Sequence, residues 1–197
     1  WKCGWQAYFG WRHEATFIEK ILLCFVFAFF TGVSAQIVIR LPFTPVPFTG
    51  QVIVVLLSGV LLGKNWAGIS QIMYLVGGMT VIPWFAGGEA GMMFLLPSFG
   101  YIVGFIPASF FIGYCFDKGY GRQSISRQIF LMLVGIAVVH CFGAVWFSFL
   151  MGTGLKTTLF MAVIPFISFD ILKAYFVAYL AVIFFPQISC DGKCFKN

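Results

Sequence analysis

The sequence predicts an all-α integral membrane protein, a bundle of six transmembrane helices, and three observations carry that expectation. Hydrophobic residues fill 61% of the 197 positions and charged residues only 9%, whereas a soluble domain carries roughly 25% charged residues. Six continuously apolar stretches run through residues 20–39, 51–63, 66–82, 98–116, 129–150 and 158–185. None of them shows the alternation of a transmembrane barrel strand. The mean hydropathy of +0.99 agrees. A chain of this length holds one bundle, residues 20–185, flanked by an N-terminal segment at 1–19 and a C-terminal tail at 186–197.

The N-terminal segment is aromatic, with Trp1, Trp5, Tyr8, Phe9 and Trp11. It reads either as an interfacial helix lying on the membrane or as a plain tail, and it lacks the pattern of a cleaved signal peptide. Ala28-x-x-x-Gly32 in the first span is a small-residue spacing that lets helices approach closely. It serves the bundle itself or a partner subunit. Next come Pro42, Pro45 and Pro47 within Leu41–Thr49, a density that excludes helix and favours a stiff, extended segment.

The second and third spans are short and separated only by Gly63-Lys64-Asn65, so they read as a helical hairpin within the bundle. A glycine-rich loop follows, Pro83 to Gly91. Irregular backbone at membrane depth is tolerated where it is buried in protein or lines a cavity. Two such loops on one side therefore suggest a lidded site, with ordinary surface connections as the plainer alternative. Gly100-x-x-x-Gly104-x-x-x-Ala108 marks close helix packing in the fourth span. Asp117–Gln128 is the one polar connection of any length.

Lysine and arginine fix the orientation. With both termini inside, Lys2, Arg12, Lys20, Lys64, Lys118, Arg122, Arg127, Lys193 and Lys196 fall on the cytoplasmic side, against only Arg40 and Lys156 outside. That is a clear positive-inside bias. The net charge of +6 is thereby a topology signal, and no nucleic-acid partner is expected.

Asp170 and Lys173 stand alone in the last apolar span. Charges at such a depth are costly and usually face a bundle interior or a water-filled cavity. Three residues apart, they lie about 60° from one another around a helix. Lys173 could neutralise an anionic ligand and Asp170 accept from ligand N–H groups; alternatively they form an internal ion pair that fixes helix rotation. Glu89, the only acidic residue expected on the outer side, touches ligand or is simply solvated. Tyr101, Tyr175 and Tyr179 are candidate cavity walls, with lipid contact or helix packing as the alternative for the last two. His140, a lone histidine in an apolar span, reads as a structural residue.

Other chemistry is missing. Gly59 to Asn65 has Ser58 and Asn65 where a phosphate-binding loop needs glycine and Ser/Thr, so no ATP site is expected. No metal site is expected either: Cys24, Cys115 and Cys141 lie in apolar spans, and Cys3, Cys190 and Cys194 read as free thiols rather than ligands. No acid/base cluster is visible, which argues against an enzyme.

Ser34-Ala35-Gln36-Ile37, Leu41-Pro42, Pro45-Val46-Pro47-Phe48-Thr49 and Gln51 together resemble the first-loop signature of the BioY family. These are biotin-specific substrate-binding (S) components of energy-coupling factor (ECF) transporters. The likeness continues through Leu61-Leu62-Gly63, Tyr74 to Gly78, Phe85 to Gly88, Gly100 to Phe105, and Asp170-Ile171-Leu172-Lys173-Ala174. It implies a six-helix bundle in a bacterial cell membrane, holding biotin near the outer face beneath the first and third loops. Lys173 would meet the valerate carboxylate and Asp170 the ureido ring, with Thr49, Gln51, Phe85, Glu89 and Tyr101 as further candidate contacts. Ser98 lies in the same region, and no arginine stands there as a second cation. Ala28 and Gly32 would pack against a transmembrane coupling subunit joined to two ATPases, so ATP is used by partners and no cofactor is expected in this chain. Alternatives are the same scaffold serving another vitamin, such as thiamine or riboflavin, or a solitary ion-coupled carrier.

Overall fold

The computed structural model of the chain describes residues 14–80, 82–120 and 124–184. The chain ends with their aromatic stretch, Cys3, Cys190 and Cys194 lie outside the described residues. Seven α-helices occur among the described residues: α1 (Phe17–Ala35), α2 (Gln51–Leu62), α3 (Lys64–Thr80), α4 (Phe99–Asp117), α5 (Ile125–Met151), α6 (Leu155–Ala162) and α7 (Ile164–Phe184). Four of them, α1, α4, α5 and α7, are long and apolar enough to cross a membrane. Two departures from the expected six-helix, all-α pattern have local causes.

The first is the last span, expected to run unbroken from 158 to 185. It breaks at Val163, whose backbone leaves the helical region at φ −128°. Pro165 has no N–H to donate to the carbonyl four residues earlier and disfavours helical geometry in the residue before it. The Phe166 N–H turns to the Val163 carbonyl, which leaves the Ala162 carbonyl free for another donor. Tyr101 Oη, from α4, supplies it. The start of α7, and with it the level of Asp170, is thus pinned to a second helix.

The second departure is a two-stranded antiparallel ribbon, β1 (Val38–Ile39) and β2 (Phe48–Thr49), which pairs Val38 with Thr49 and Ile39 with Phe48. The proline-rich segment is the excursion between these strands. The prolines keep it out of helix, and the ribbon closes it into a flap whose two ends meet.

The start of α1 and the α2–α3 joint are set by identifiable residues. Thr16 and Glu19 form a capping box at the start of α1: the Thr16 N–H donates to Glu19 Oε2 at 2.7 Å and the Glu19 N–H to Thr16 Oγ1 at 3.4 Å. The first span thus begins at Phe17 rather than at 20. Gly63 alone joins α2 to α3, at φ +80°, a conformation that favours glycine. Asp117 Oδ2, at the end of α4, accepts from the Lys64 N–H at 3.0 Å and caps the second arm of that hairpin.

Small residues set the helix spacing. A Cβ on Gly100 would lie 2.3 Å from Trp146 Cβ, and one on Gly104 3.1 Å from Val139 Cα, so α4 and α5 meet along the predicted Gly-x-x-x-Gly face. A Cβ on Gly113 would fall 2.5 Å from the Gly63 carbonyl carbon and the Lys64 nitrogen. Gly113→Val is therefore expected to push the hairpin off α4, at about 1–3 kcal/mol for overpacking, and to lower the thermal unfolding midpoint of the purified protein. An unchanged midpoint would show that this contact does not set the hairpin's position.

Ala28 and Gly32 are a correction. Ala28 is fully buried among Val55, Tyr74 and Phe85, and a Cβ on Gly32 would lie 2.7 Å from Trp84 Cβ. Both serve the bundle's interior and offer nothing to a partner subunit. The exposed face of α1 is instead Phe17, Ile18, Leu22, Phe29 and Phe30.

Candidate ligand-binding site

At the loop end of the bundle the glycine-rich loop is locked to α1 and α3, and Gly87 of that loop lies beside Arg40 of the flap. Trp84 and Phe85 insert between α1 and α3, where Gly77 and Gly78 leave room: a Cβ on Gly78 would fall 2.2 Å from the Phe85 ring. Trp84 Nε1 donates to the Tyr74 carbonyl at 2.9 Å, and Tyr74 Oη donates to the Trp84 carbonyl at 3.3 Å. Gln36, from the end of α1, donates to the Phe85 carbonyl at 3.1 Å. Positive φ at Gly87, Gly88 and Gly91 lets the loop turn back over the bundle.

Beneath these loops lies a narrow cavity of about 50 Å³, lined by Phe48, Thr49, Gln51, Ala86, Ser98, Tyr101, His140, Phe166, Asp170 and Lys173 together with aliphatic side chains. It adjoins a wider cleft of about 360 Å³ with which it shares Pro47, Ala86 and Ser98, and which also carries Arg40 and Glu89. Ligand pockets run from about 300 Å³ upward, so this conformation is closed over the inner cavity. The flap residues Val46 to Thr49 form its near wall.

The charged residues sit at the cavity's inner wall. Asp170 is 5% exposed and Lys173 8%, and Lys173 Nζ donates to Asp170 Oδ1 at 2.9 Å. The ammonium also lies 4.0 Å from the centroid of the Phe48 ring, a cation–π contact that ties the flap to α7. Phe48 stacks further on Phe169 at 4.7 Å. The other carboxylate oxygen, Asp170 Oδ2, pairs with His140 Nε2 at 2.6 Å. An ionised carboxylate can only accept, so Nε2 carries the shared proton.

His140, expected to be a satisfied structural residue, has its partner in Asp170 of the buried pair. The signal was available, because an ionisable side chain inside a membrane span is as unusual for histidine as for aspartate. What the sequence hid was the partner, on another helix and 30 residues away.

The other expected site residues divide. Thr49, Gln51 and Tyr101 line the cavity, but much of their polar capacity is committed. Thr49 Oγ1 donates to Gln51 Oε1 at 2.8 Å, Gln51 Nε2 donates to Tyr74 Oη at 2.6 Å, and Tyr101 Oη donates to Ala162. Glu89 lines the outer cleft, not the inner cavity. Phe85 is fully buried against Tyr74 and reaches the site only through its neighbour Ala86. Tyr175 and Tyr179 are 54% and 61% exposed on the bundle's outside, the arrangement expected for lipid contact.

A membrane helix bundle with a narrow, mostly apolar cavity, a charged cluster at its wall and two loops at its mouth has the arrangement of a small-molecule site. Residues 10–189 match the BioY family. The chain is 33% identical over 157 residues to the probable biotin transporter BioY of Pyrococcus horikoshii, covering 79% of this chain and 90% of that protein. It is 30% identical over 145 residues to the biotin transporter BioY of Thermotoga maritima, covering 73% and 83%. The crystal structure of the S-component for biotin from an ECF-type ABC transporter superposes with a TM-score of 0.76 at 27% identity, covering 83% of this chain and 89% of that one. The chain belongs to the BioY family. It is a transport protein, not an enzyme.

Proposed function

We propose that this chain captures biotin at the outer face of the cell membrane as the S component of an ECF transporter. In this reading six segments cross the bilayer, both termini are cytoplasmic, and α6 with α7 counts as one crossing. Lys173 receives the valerate carboxylate and Asp170 accepts from the ureido N–H groups, while the flap and the glycine-rich loop cover the ligand. Thr49, Gln51 and Tyr101 offer their remaining acceptor capacity at the walls. Uptake is driven by ATP hydrolysis in partner subunits, reached through a transmembrane coupling subunit.

The single observation that carries this reading is the buried Asp170–Lys173 pair at the wall of a cavity roofed by the flap. It supplies a buried acceptor and a buried cation in an apolar enclosure, the two chemistries that a ligand carrying a urea and a carboxylate requires. Binding lifts Phe48 away from the ammonium, because the cavity as it stands is smaller than a bicyclic ligand.

Isothermal titration of the purified protein in detergent tests this. Saturable one-to-one biotin binding is the expected result; no heat from a sample with a cooperative thermal transition would sink the proposal. Uptake into vesicles lacking any ATPase, dependent on a proton gradient, would favour a solitary carrier over the coupled complex.

A further inference from the structure

We infer that His140 is a positioning residue that keeps Asp170 compensated while Lys173 turns to a ligand carboxylate, and that it thereby sets the preference for carboxylate-bearing ligands over their neutral amides. The inference rests on the biotin reading above and adds a third member to its polar cluster.

The argument is one of counting charges. Lys173 is the sole lysine or arginine among the described residues lining the cavity, and its ammonium already serves Asp170 at 2.9 Å. A bound carboxylate is a second anion competing for that cation. If Lys173 turns away, Asp170 loses its closest counter-charge while 5% exposed, and a buried carboxylate left without a partner is strongly destabilised. His140 offsets part of this penalty through a hydrogen bond, although its neutral imidazole brings no charge. Its Nε2–H holds the other oxygen at 2.6 Å, and it comes from α5, so it stays in place when a side chain of α7 rotates.

The imidazole is itself held for this task. The Tyr101 ring stands edge-on to it at 5.7 Å and the Phe166 ring lies at 6.1 Å. Its Nδ1 is buried with no hydrogen-bond partner among the described residues. Asp170 is therefore the one polar group that orients the ring, and it fixes the tautomer with the proton on Nε2. A neutral amide ligand still meets Asp170 through its ureido N–H groups, but it makes no claim on the Lys173 charge and leaves the Asp170–Lys173 pair intact, so it depends far less on His140. A purely structural histidine would affect both ligands alike.

The test is titration of the full-length protein in detergent with biotin and with biotinamide. H140L is expected to weaken biotin by roughly tenfold or more, the scale of losing a hydrogen bond to a charged group, and to leave biotinamide within about twofold of its original affinity. H140Q retains an N–H donor and should recover most of the loss. Equal losses for the two ligands, or no loss for biotin, would overturn the inference.

Should H140L fail to fold, histidine-labelled wild-type protein decides the matter by ¹⁵N resonance. The Nε2–H should remain hydrogen-bonded in the biotin complex, and its release on biotin binding would overturn the inference. Wild-type protein that binds neither ligand refutes the biotin reading itself, an outcome distinct from all of these.

Discussion

Lys173→Met is expected to reduce biotin affinity by a hundredfold or more. The methionine approximates the length of the lysine stem, so the change removes the charge, the donors and the cation–π contact with Phe48 while nearly conserving volume. Stranding a buried charge costs about 3–5 kcal/mol, and about 1.4 kcal/mol is a factor of ten in affinity. Two carboxylates would be left without the ammonium, that of the ligand and that of Asp170, which then has only His140. Calorimetry on wild type and variant reads the effect, and biotinamide should lose far less because it brings no charge. Undiminished biotin affinity in a folded variant would remove Lys173 from the site.

Phe85→Ala should act from outside the cavity. Phe85 is fully buried and edge-on to Tyr74 at 5.4 Å. Its carbonyl is held by Gln36 and its ring fills the space that Gly78 leaves open. Truncating a buried phenylalanine costs about 3–5 kcal/mol. Here the loss falls on the seam that joins the glycine-rich loop to α1 and α3. The expected result is a lower thermal midpoint together with faster biotin release, since one of the two covers would no longer be anchored. Release slowed or unchanged, with the midpoint lowered, would mean that the glycine-rich loop does not retain ligand.

The architecture was legible in the sequence wherever one residue type carries the physics. Charges in an apolar run disclosed Asp170 and Lys173, Gly100 and Gly104 disclosed a close helix approach but not that α5 makes it, and Gly63-Lys64-Asn65 disclosed the hairpin, whose joint is Gly63 alone. The unbroken hydrophobicity of residues 158–185 hid the break at Val163. The β ribbon could not be read, because two residues per strand give no period to detect. His140 eluded the sequence for a related reason: its meaning lies in a partner on another helix, which local pattern cannot specify. Ala28 and Gly32 show the limit of small-residue spacing. It announces that something packs closely there, and only the fold reveals that the neighbour is Trp84 rather than another subunit.

The one-residue joint at Gly63 bears on how the protein is made. At about 1.5 Å per residue, the 12 residues of α2 reach only about 18 Å and the 17 of α3 about 26 Å. Both fall short of a hydrocarbon layer about 30 Å thick. α3 also carries Lys64 and Asn65 in its first turn and buries Ser70 and Gln71. Neither arm is long enough to cross the layer upright, although α2 is strongly apolar. Their landing surface includes Gly113 and Asp117 of α4, which leaves the ribosome later. The hairpin is therefore synthesised before the helix that receives it, and its joint reaches its packed position only once α4 has arrived.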